Sequence, residues 1–289
     1  MILTANRLRA LQRRYNGWAD LAPTLPVRHV PNIVTRAQFR RLSQHYSWPT
    51  APNRFSGLDG WWKADGTLWQ NSTRTTLAVA DDDPVGACDD ASGNGRHLVQ
   101  ATAGLRPLYK TGIQNGLPVI RFDGIDDRLL VTATSVSAWT VFVVANITSK
   151  INYTGPFQWW NGTGDGLKLV SDSSTTEYMR RLALYTGGSE EANNYINNTA
   201  LTLPTGAKLW TWRRSSAAAP TLRQDGSAVA LVTTTNGFAG AVGGIVNYDG
   251  TAGPGMDACE VILFNRALTD TERIAVERYL GQKWDIVVP

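Results

Sequence analysis

From about residue 57 to residue 264 the chain is a succession of short, β-branched and aromatic runs cut apart by turn residues, and this pattern restricts the fold more than any other feature. LPVIRFDG, WTVFVVANI, LKLVSD, RRLALYTG, KLWTWRRS, TLRQDGSAVALV, AVGGIVNYDG and ACEVILFN are each strand-length and bounded by Gly, Asn, Asp or Pro. Helical periodicity is missing from the whole stretch. Evenly spaced short strands of this kind pack as a sandwich or barrel. The reading is an all-β fold over residues 56–289. Asp225-Gly226 marks a tight hairpin, because its turn needs positive φ. Trp210 and Trp212 alternate with Thr211 and so share one face of their strand. The chain closes on a helix: Thr269 and Glu272 have capping-box spacing, and Val276, Leu280 and Trp284 form its apolar stripe.

The first 55 residues read differently. Residues 1–54 carry nine arginines against one acid, Asp20, a net +8, whereas the rest of the chain carries −4, for +4 in total. Leu8, Leu11, Tyr15 and Trp18 recur at helical spacing, with Arg7, Arg9, Arg13 and Arg14 around them. A proline-containing linker follows, APTLPVRHVP. A second helix opens at Thr35 and carries Phe39, Leu42 and Tyr46 on one side, with Arg36, Arg40 and Arg41 on the other. Helices this short are marginal alone in water. Their apolar stripes therefore require a surface, which is the chain's own sandwich, another subunit in an assembly, or another protein. Arginine density without a recognised motif does not define a nucleic-acid site.

No apolar run approaches the roughly 20 residues needed to span a bilayer, and the first residues show no signal-peptide pattern. Cys88 and Cys259 stand far apart and outside any metal spacing, and read as small buried residues. The Asn-x-Ser/Thr triplets read as products of Asn- and Thr-rich turns. No E-x-D-x-x-E pair, nucleophile elbow, HExxH, phosphate loop or GxGxxG occurs. His97, the one histidine after residue 56, sits in a turn-like SGNGRH. The sequence thus leads to the expectation that the chain is not an enzyme.

Three ordered blocks, DDASGNGRHLVQATAGLRPLY (89–109), NGLPVIRFDGIDDRLLV (115–131) and ACEVILFNRALTDTERIAVERYLGQKW (258–284), together resemble the concanavalin A-like lectin/glucanase superfamily, in its laminin-G-like, pentraxin-related branch. The resemblance implies a two-sheet antiparallel jelly-roll sandwich. With the basic helical arm, the chain also resembles a bacteriophage virion structural protein such as a head fibre, spike, tail-fibre or baseplate component. The expectation is a non-enzymatic protein on the virion surface, assembled in the host cytoplasm and docked to other virion proteins through its arm. Arg7, Arg9, Leu11, Arg13, Arg14, Tyr15, Arg36, Phe39, Arg40, Arg41 and Leu42 would form the anchor. The sandwich would be displayed as a homo-oligomer, a trimer by guess, toward host cell-surface glycan. A free carbohydrate-binding lectin and a glycan-cleaving hydrolase are the alternatives.

For the branch it resembles, calcium held by turn carboxylates is implied at Asp123, Asp126 and Asp127, with Asp249 and Asp257 from the late YDGTAGPGMDA segment. The competing reading is that these aspartates simply make turns. Glycan binding needs an exposed aromatic face beside planar polar groups. Trp159 and Trp160, followed by Asn161 and Asp165, are the first candidates, and Trp69 in GTLWQNST the second. Core packing or a subunit contact would account for the same tryptophans.

Overall fold

A computed structural model describes residues 51–131, 138–149, 205–215, 221–229 and 255–289 in full, and the backbone alone of 158–160, 166–170, 181–186, 189–196, 231–233 and 245–246. The described residues lie in one compact unit, Pro49–Pro289. The anchor residues expected between Arg7 and Leu42 fall outside them.

In chain order the strands are β1 (Leu58–Lys63), β2 (Leu68–Trp69), β3 (Ala87–Cys88), β4 (Leu98–Val99), β5 (Leu108–Gln114), β6 (Leu117–Asp123), β7 (Leu129–Leu130), β8 (Trp139–Ile147), β9 (Gln158–Trp160), β10 (Gly166–Val170), β11 (Arg181–Thr186), β12 (Ser189–Ile196), β13 (Lys208–Arg214), β14 (Thr221–Gln224), β15 (Ser227–Val229), β16 (Leu231–Thr233), β17 (Ile245–Val246) and β18 (Gly255–Phe264); helix α1 (Asp270–Trp284) follows. They form two sheets. The eight-stranded sheet runs β15-β14-β13-β8-β18-β6-β5, with β1 also on β18, and the ten-stranded sheet runs β16-β12-β11-β10-β9-β17-β7-β4-β3-β2. The pairings given for the described strands are antiparallel, as in the β8–β18, β8–β13 and β6–β18 ladders. The described residues are therefore mostly β, two antiparallel sheets with one C-terminal helix, as the sequence reads over residues 56–289.

The central strands of the eight-stranded sheet are buried on both faces. On β8, Trp139, Val141, Val143, Ala145 and Ile147 point into the core between the sheets. Phe142 and Val144 of the same strand point the other way, against α1. Trp210 and Trp212 both enter the inter-sheet core, meeting the expected alternation. The two adjacent tryptophans of β1 are split: Trp62 faces the second sheet and Trp61 faces the helix. Double burial explains why β8 reads as a nearly unbroken apolar run.

β18 is the hub. Its first half pairs with β6, Gly255–Ala258 against Ile120–Asp123, and its second half with β1, Glu260–Phe264 against Leu58–Lys63. A register shift against β8 falls between Ala258 and Glu260, where the edge partner changes. An inserted residue reverses the period-two alternation. Met256 and, after the shift, Val261 and Leu263 thus all reach the inter-sheet core. Cys259 and Glu260 both face the helix: Cys259 packs in the helix-side core, and the buried Glu260 carboxylate accepts from Trp61 Nε1 (2.5 Å), Lys283 Nζ (2.7 Å) and Trp284 Nε1 (2.8 Å). Lys283 also reaches Asp65 Oδ1 at 2.7 Å. A carboxylate this deep is tolerable only when paired and hydrogen-bonded.

Helix α1 begins as its sequence dictates. The Thr269 side chain accepts from the Glu272 backbone, Glu272 reaches back to Thr269, and Val276, Leu280 and Trp284 are fully buried. The β14–β15 hairpin turns at Asp225 (φ 51°) and Gly226 (φ 79°), as the Asp-Gly pair requires. Among the described residues no helix is long and apolar enough to cross a membrane.

Candidate functional site

Two regions of the described residues hold most of the calcium and glycan candidates. The first is the turn from β6 to β7, which carries the chain from the eight-stranded to the ten-stranded sheet. Here Asp123, Asp126 and Asp127 each bring a carboxylate oxygen within 4.8 Å of the others. Much of their bonding capacity goes to the turn itself. Asp123 Oδ1 accepts from the backbone of Ile125 (2.8 Å) and Asp126 (3.3 Å), and Asp127 Oδ2 accepts from the Asp123 backbone (2.9 Å). Asp127 is 7% exposed. Burial first, then the neighbouring charges of Asp123 and Asp126, push its carboxyl up to about 6, against the Asp123 backbone bond that lowers it. The donor set is all oxygen, as calcium prefers, and bonds inside the turn already engage the Asp123 and Asp127 carboxylates.

Asp257, expected in the same set, is elsewhere. It is 3% exposed on β18, and Arg121 of β6 binds it through two bonds, Nε to Oδ1 at 2.7 Å and Nη2 to Oδ2 at 2.9 Å. A carboxylate held by a guanidinium fork has its oxygens committed. Asp249 lies outside the described residues.

The second region is the outer face of the ten-stranded sheet. The sequence reads Trp69 as a loop residue; the structure makes it the second residue of β2, paired to Ala87 on one side and bridged to Leu77 on the other. Leu68, Cys88, Leu98 and Leu129 of β2, β3, β4 and β7 all enter the inter-sheet core. Their neighbours Trp69, Ala87, Val99 and Leu130 therefore point outward, and they stand in one cross-strand register. Along this row Leu77 is 48% exposed and Val99 37%, Trp69 and Leu130 are half-buried, and Ala87 is fully covered, so the row reaches the surface on either side of Ala87. In the backbone the same register continues through Ile245 to Gln158.

Trp69 is half-buried, and its Nε1–H is covered without an acceptor. An indole donor left so costs about 1–3 kcal/mol. The ring is thus held by packing and not by its own hydrogen bond. Polar groups crowd the loop beyond it. Gln70 donates to Leu77 O (3.1 Å), and Asn71 accepts from Thr73 (3.0 Å) and from the Thr75 backbone (3.0 Å).

Trp159 and Trp160 belong to β9 of this same sheet, paired to Leu167 and Gly166. Their side chains, and Asn161 and Asp165 altogether, lie outside the described residues. Leu77, Val99 and Leu130 were not legible in the sequence as surface partners of Trp69. The strands that align them are two residues long, too short for alternation to show.

No family model and no curated protein matches the chain. Solved structures do. A mutant of Trypanosoma rangeli sialidase displaying trans-sialidase activity is 14% identical over 97% of this chain, with a TM-score of 0.48. Domain 4 of AbnA, a GH43 extracellular arabinanase from Geobacillus stearothermophilus, in complex with arabinotriose, is 14% identical over 74% of this chain and 95% of that one, with a TM-score of 0.48. A GH54 α-L-arabinofuranosidase is 15% identical over 80% of this chain, with a TM-score of 0.53. The chain spans 40% of the sialidase and 64% of the arabinofuranosidase.

At these identities the likeness is one of fold. It nevertheless corrects two expectations. The chain read as a virion structural protein and as no enzyme, but the fold is shared with an enzyme, the GH54 α-L-arabinofuranosidase, and nothing in it favours a virion role. The misreading came from weighing the basic arm, which lies outside the described residues, and from treating missing catalytic motifs as evidence about a fold that occurs in enzymes.

Proposed function

We infer that the sandwich recognises carbohydrate through the outer face of its ten-stranded sheet, with Trp69 as the stacking surface. The observation that carries this is the outward register row Leu77–Trp69–Ala87–Val99–Leu130. Sugar rings present an apolar C–H face, which an aromatic ring covers, and hydroxyl edges, which amides and guanidinium groups bind. Neighbouring strands are about 4.8 Å apart, so the row runs for roughly 19 Å, with Ala87 covered between Trp69 and Val99. Gln70 and Asn71 supply polar groups at its margin.

In finer detail, the reading is a concanavalin A-like jelly roll acting as a lectin-type module. The fold's occurrence in an α-L-arabinofuranosidase supports a glycan as ligand. The test is affinity electrophoresis and calorimetry with arabinan, xylan, β-glucan and a sialylated glycan. Binding to at least one, weakened tenfold or more by Trp69→Ala (about 1.4 kcal/mol), is the expected outcome. Binding that Trp69→Ala leaves unchanged would remove this face from the reading. Release of reducing ends in the same mixtures would place the chain among hydrolases.

A further inference from the structure

The outward row depends on strands too short to hold their own register. β2, β3, β4 and β7 have two residues each, so each contributes few ladder bonds. Two side chains outside the row supply what the ladder lacks. Arg106 donates to three carbonyls: from Nε to Gln100 (3.1 Å), from Nη1 to Gln70 (3.2 Å) and from Nη2 to Ala101 (2.8 Å). Gln70 follows Trp69 directly, and Gln100 follows Val99. The one guanidinium thus ties the end of β2 to the end of β4, across β3.

Gln100, 5% exposed, extends the clamp: its Nε2 donates to Arg128 O (3.2 Å), just before β7, and its backbone N–H bonds to Gly86 O (2.8 Å), just before β3. Gly86 also lets the start of β3 approach the end of β2 closely, since a Cβ there would stand 2.5 Å from Asn71 Cα.

We propose that Arg106 is a positioning residue for carbohydrate recognition, fixing Trp69 in line with Val99 through the carbonyls of Gln70, Gln100 and Ala101. This rests on the glycan reading for its purpose, while its geometry stands independently. Guanidinium suits the task because a planar fork of five donors meets three acceptors at once. Lysine keeps the charge but concentrates its donors at one nitrogen and cannot span them. Trp69 itself has no bond at Nε1 to hold it. Its placement therefore follows from the backbone that Arg106 grips.

The experiment compares wild type with Arg106→Lys and, should that fold poorly, Arg106→Gln, whose single amide cannot meet all three carbonyls. The ¹H–¹⁵N indole cross-peak of Trp69, assigned by its loss in Trp69→Phe, is followed together with affinity for arabinotriose, xylohexaose, cellohexaose and 3′-sialyllactose. In Arg106→Lys the Trp69 cross-peak should move, those of the core residues Trp139 and Trp212 should stay, and affinity for the best-binding saccharide should fall about tenfold. An unmoved Trp69 cross-peak overturns the proposal, whatever the affinity does. A moved cross-peak with undiminished affinity overturns it too. If wild type binds none of the four, the recognition reading fails, and with it the purpose assigned to Arg106; the cross-peak then reports only whether the clamp itself exists.

Discussion

Arg121 and Asp257 form a fork-to-carboxylate pair across β6 and β18, in which the acid is buried and the base is not: side-chain exposures are 42% for Arg121 and 4% for Asp257. The asymmetry has a measurable consequence. Removing the arginine strands a buried carboxylate, which is the costly direction, whereas neutralising the acid leaves a guanidinium that water can solvate. Arg121→Met should lower unfolding free energy by about 2–4 kcal/mol and Asp257→Asn by about 1 kcal/mol. Urea denaturation of both variants checks the order, and equal losses would contradict it.

Glu272 makes the acid limb of stability. Arg266 beside it, aided by the Thr269 backbone and hydroxyl, holds its carboxyl down at about 2 against a smaller opposing effect of burial. The two Arg266 bonds are 2.6 and 2.9 Å. A carboxyl lowered on folding stabilises the native state above its unfolded value, near 4.3, and this is lost as pH falls toward 2. Because the pair is solvent-screened, the contribution is about 1 kcal/mol. Glu272→Gln should therefore lower the melting temperature at pH 7 by a few degrees and leave it nearly unchanged at pH 2.

Gly281 inverts the usual helix rule. Replacing an interior helical glycine by alanine ordinarily stabilises by about 1 kcal/mol. Here a Cβ would stand 2.7 Å from Val288 Cγ2 and 2.8 Å from Ile286 O, because the C-terminal tail lies directly over this position. The expected result for Gly281→Ala is a loss of about 1–2 kcal/mol by overpacking, partly recovered in the double variant with Val288→Ala. A stabilised single variant would show that the tail does not seat there.

Both thiols should be inert in the native protein. Cys88 and Cys259 are buried and unpaired with each other. Burial, the leading cause, pushes the Cys88 thiol up to about 12 and raises that of Cys259 well above its ordinary value. Thiolate is the reactive form, so an aromatic disulfide reagent at pH 8 should label neither cysteine until denaturant is added, and then both.

Where the sequence carried long periodic signals, structure and reading agree. The Thr269/Glu272 box, the Val276–Leu280–Trp284 stripe, the Asp225-Gly226 turn and the Trp210/Trp212 alternation are local features, each specified within one element. The candidate site was legible only in fragments. Trp69 was found as an aromatic among polar residues, but its neighbours Leu77, Val99 and Leu130 come together from separate two-residue strands, and no local pattern records such pairing. Asp257 misled for a similar reason: an acid before a strand looks like a ligand until its cross-strand partner Arg121 is known. Arg106 gave no signal at all, because its role lies in backbone carbonyls, which are the same in every sequence.

The most direct test of glycan recognition by this face is to follow the Trp69 indole and the methyl groups of Leu77, Val99 and Leu130 by NMR while titrating arabino-, xylo-, cello- and sialyl-oligosaccharides. The account predicts that at least one saccharide shifts these four residues together, saturably, and leaves the core tryptophans Trp139 and Trp212 in place. Saturable shifts confined to any other surface, or no shift with any of the four, would contradict it.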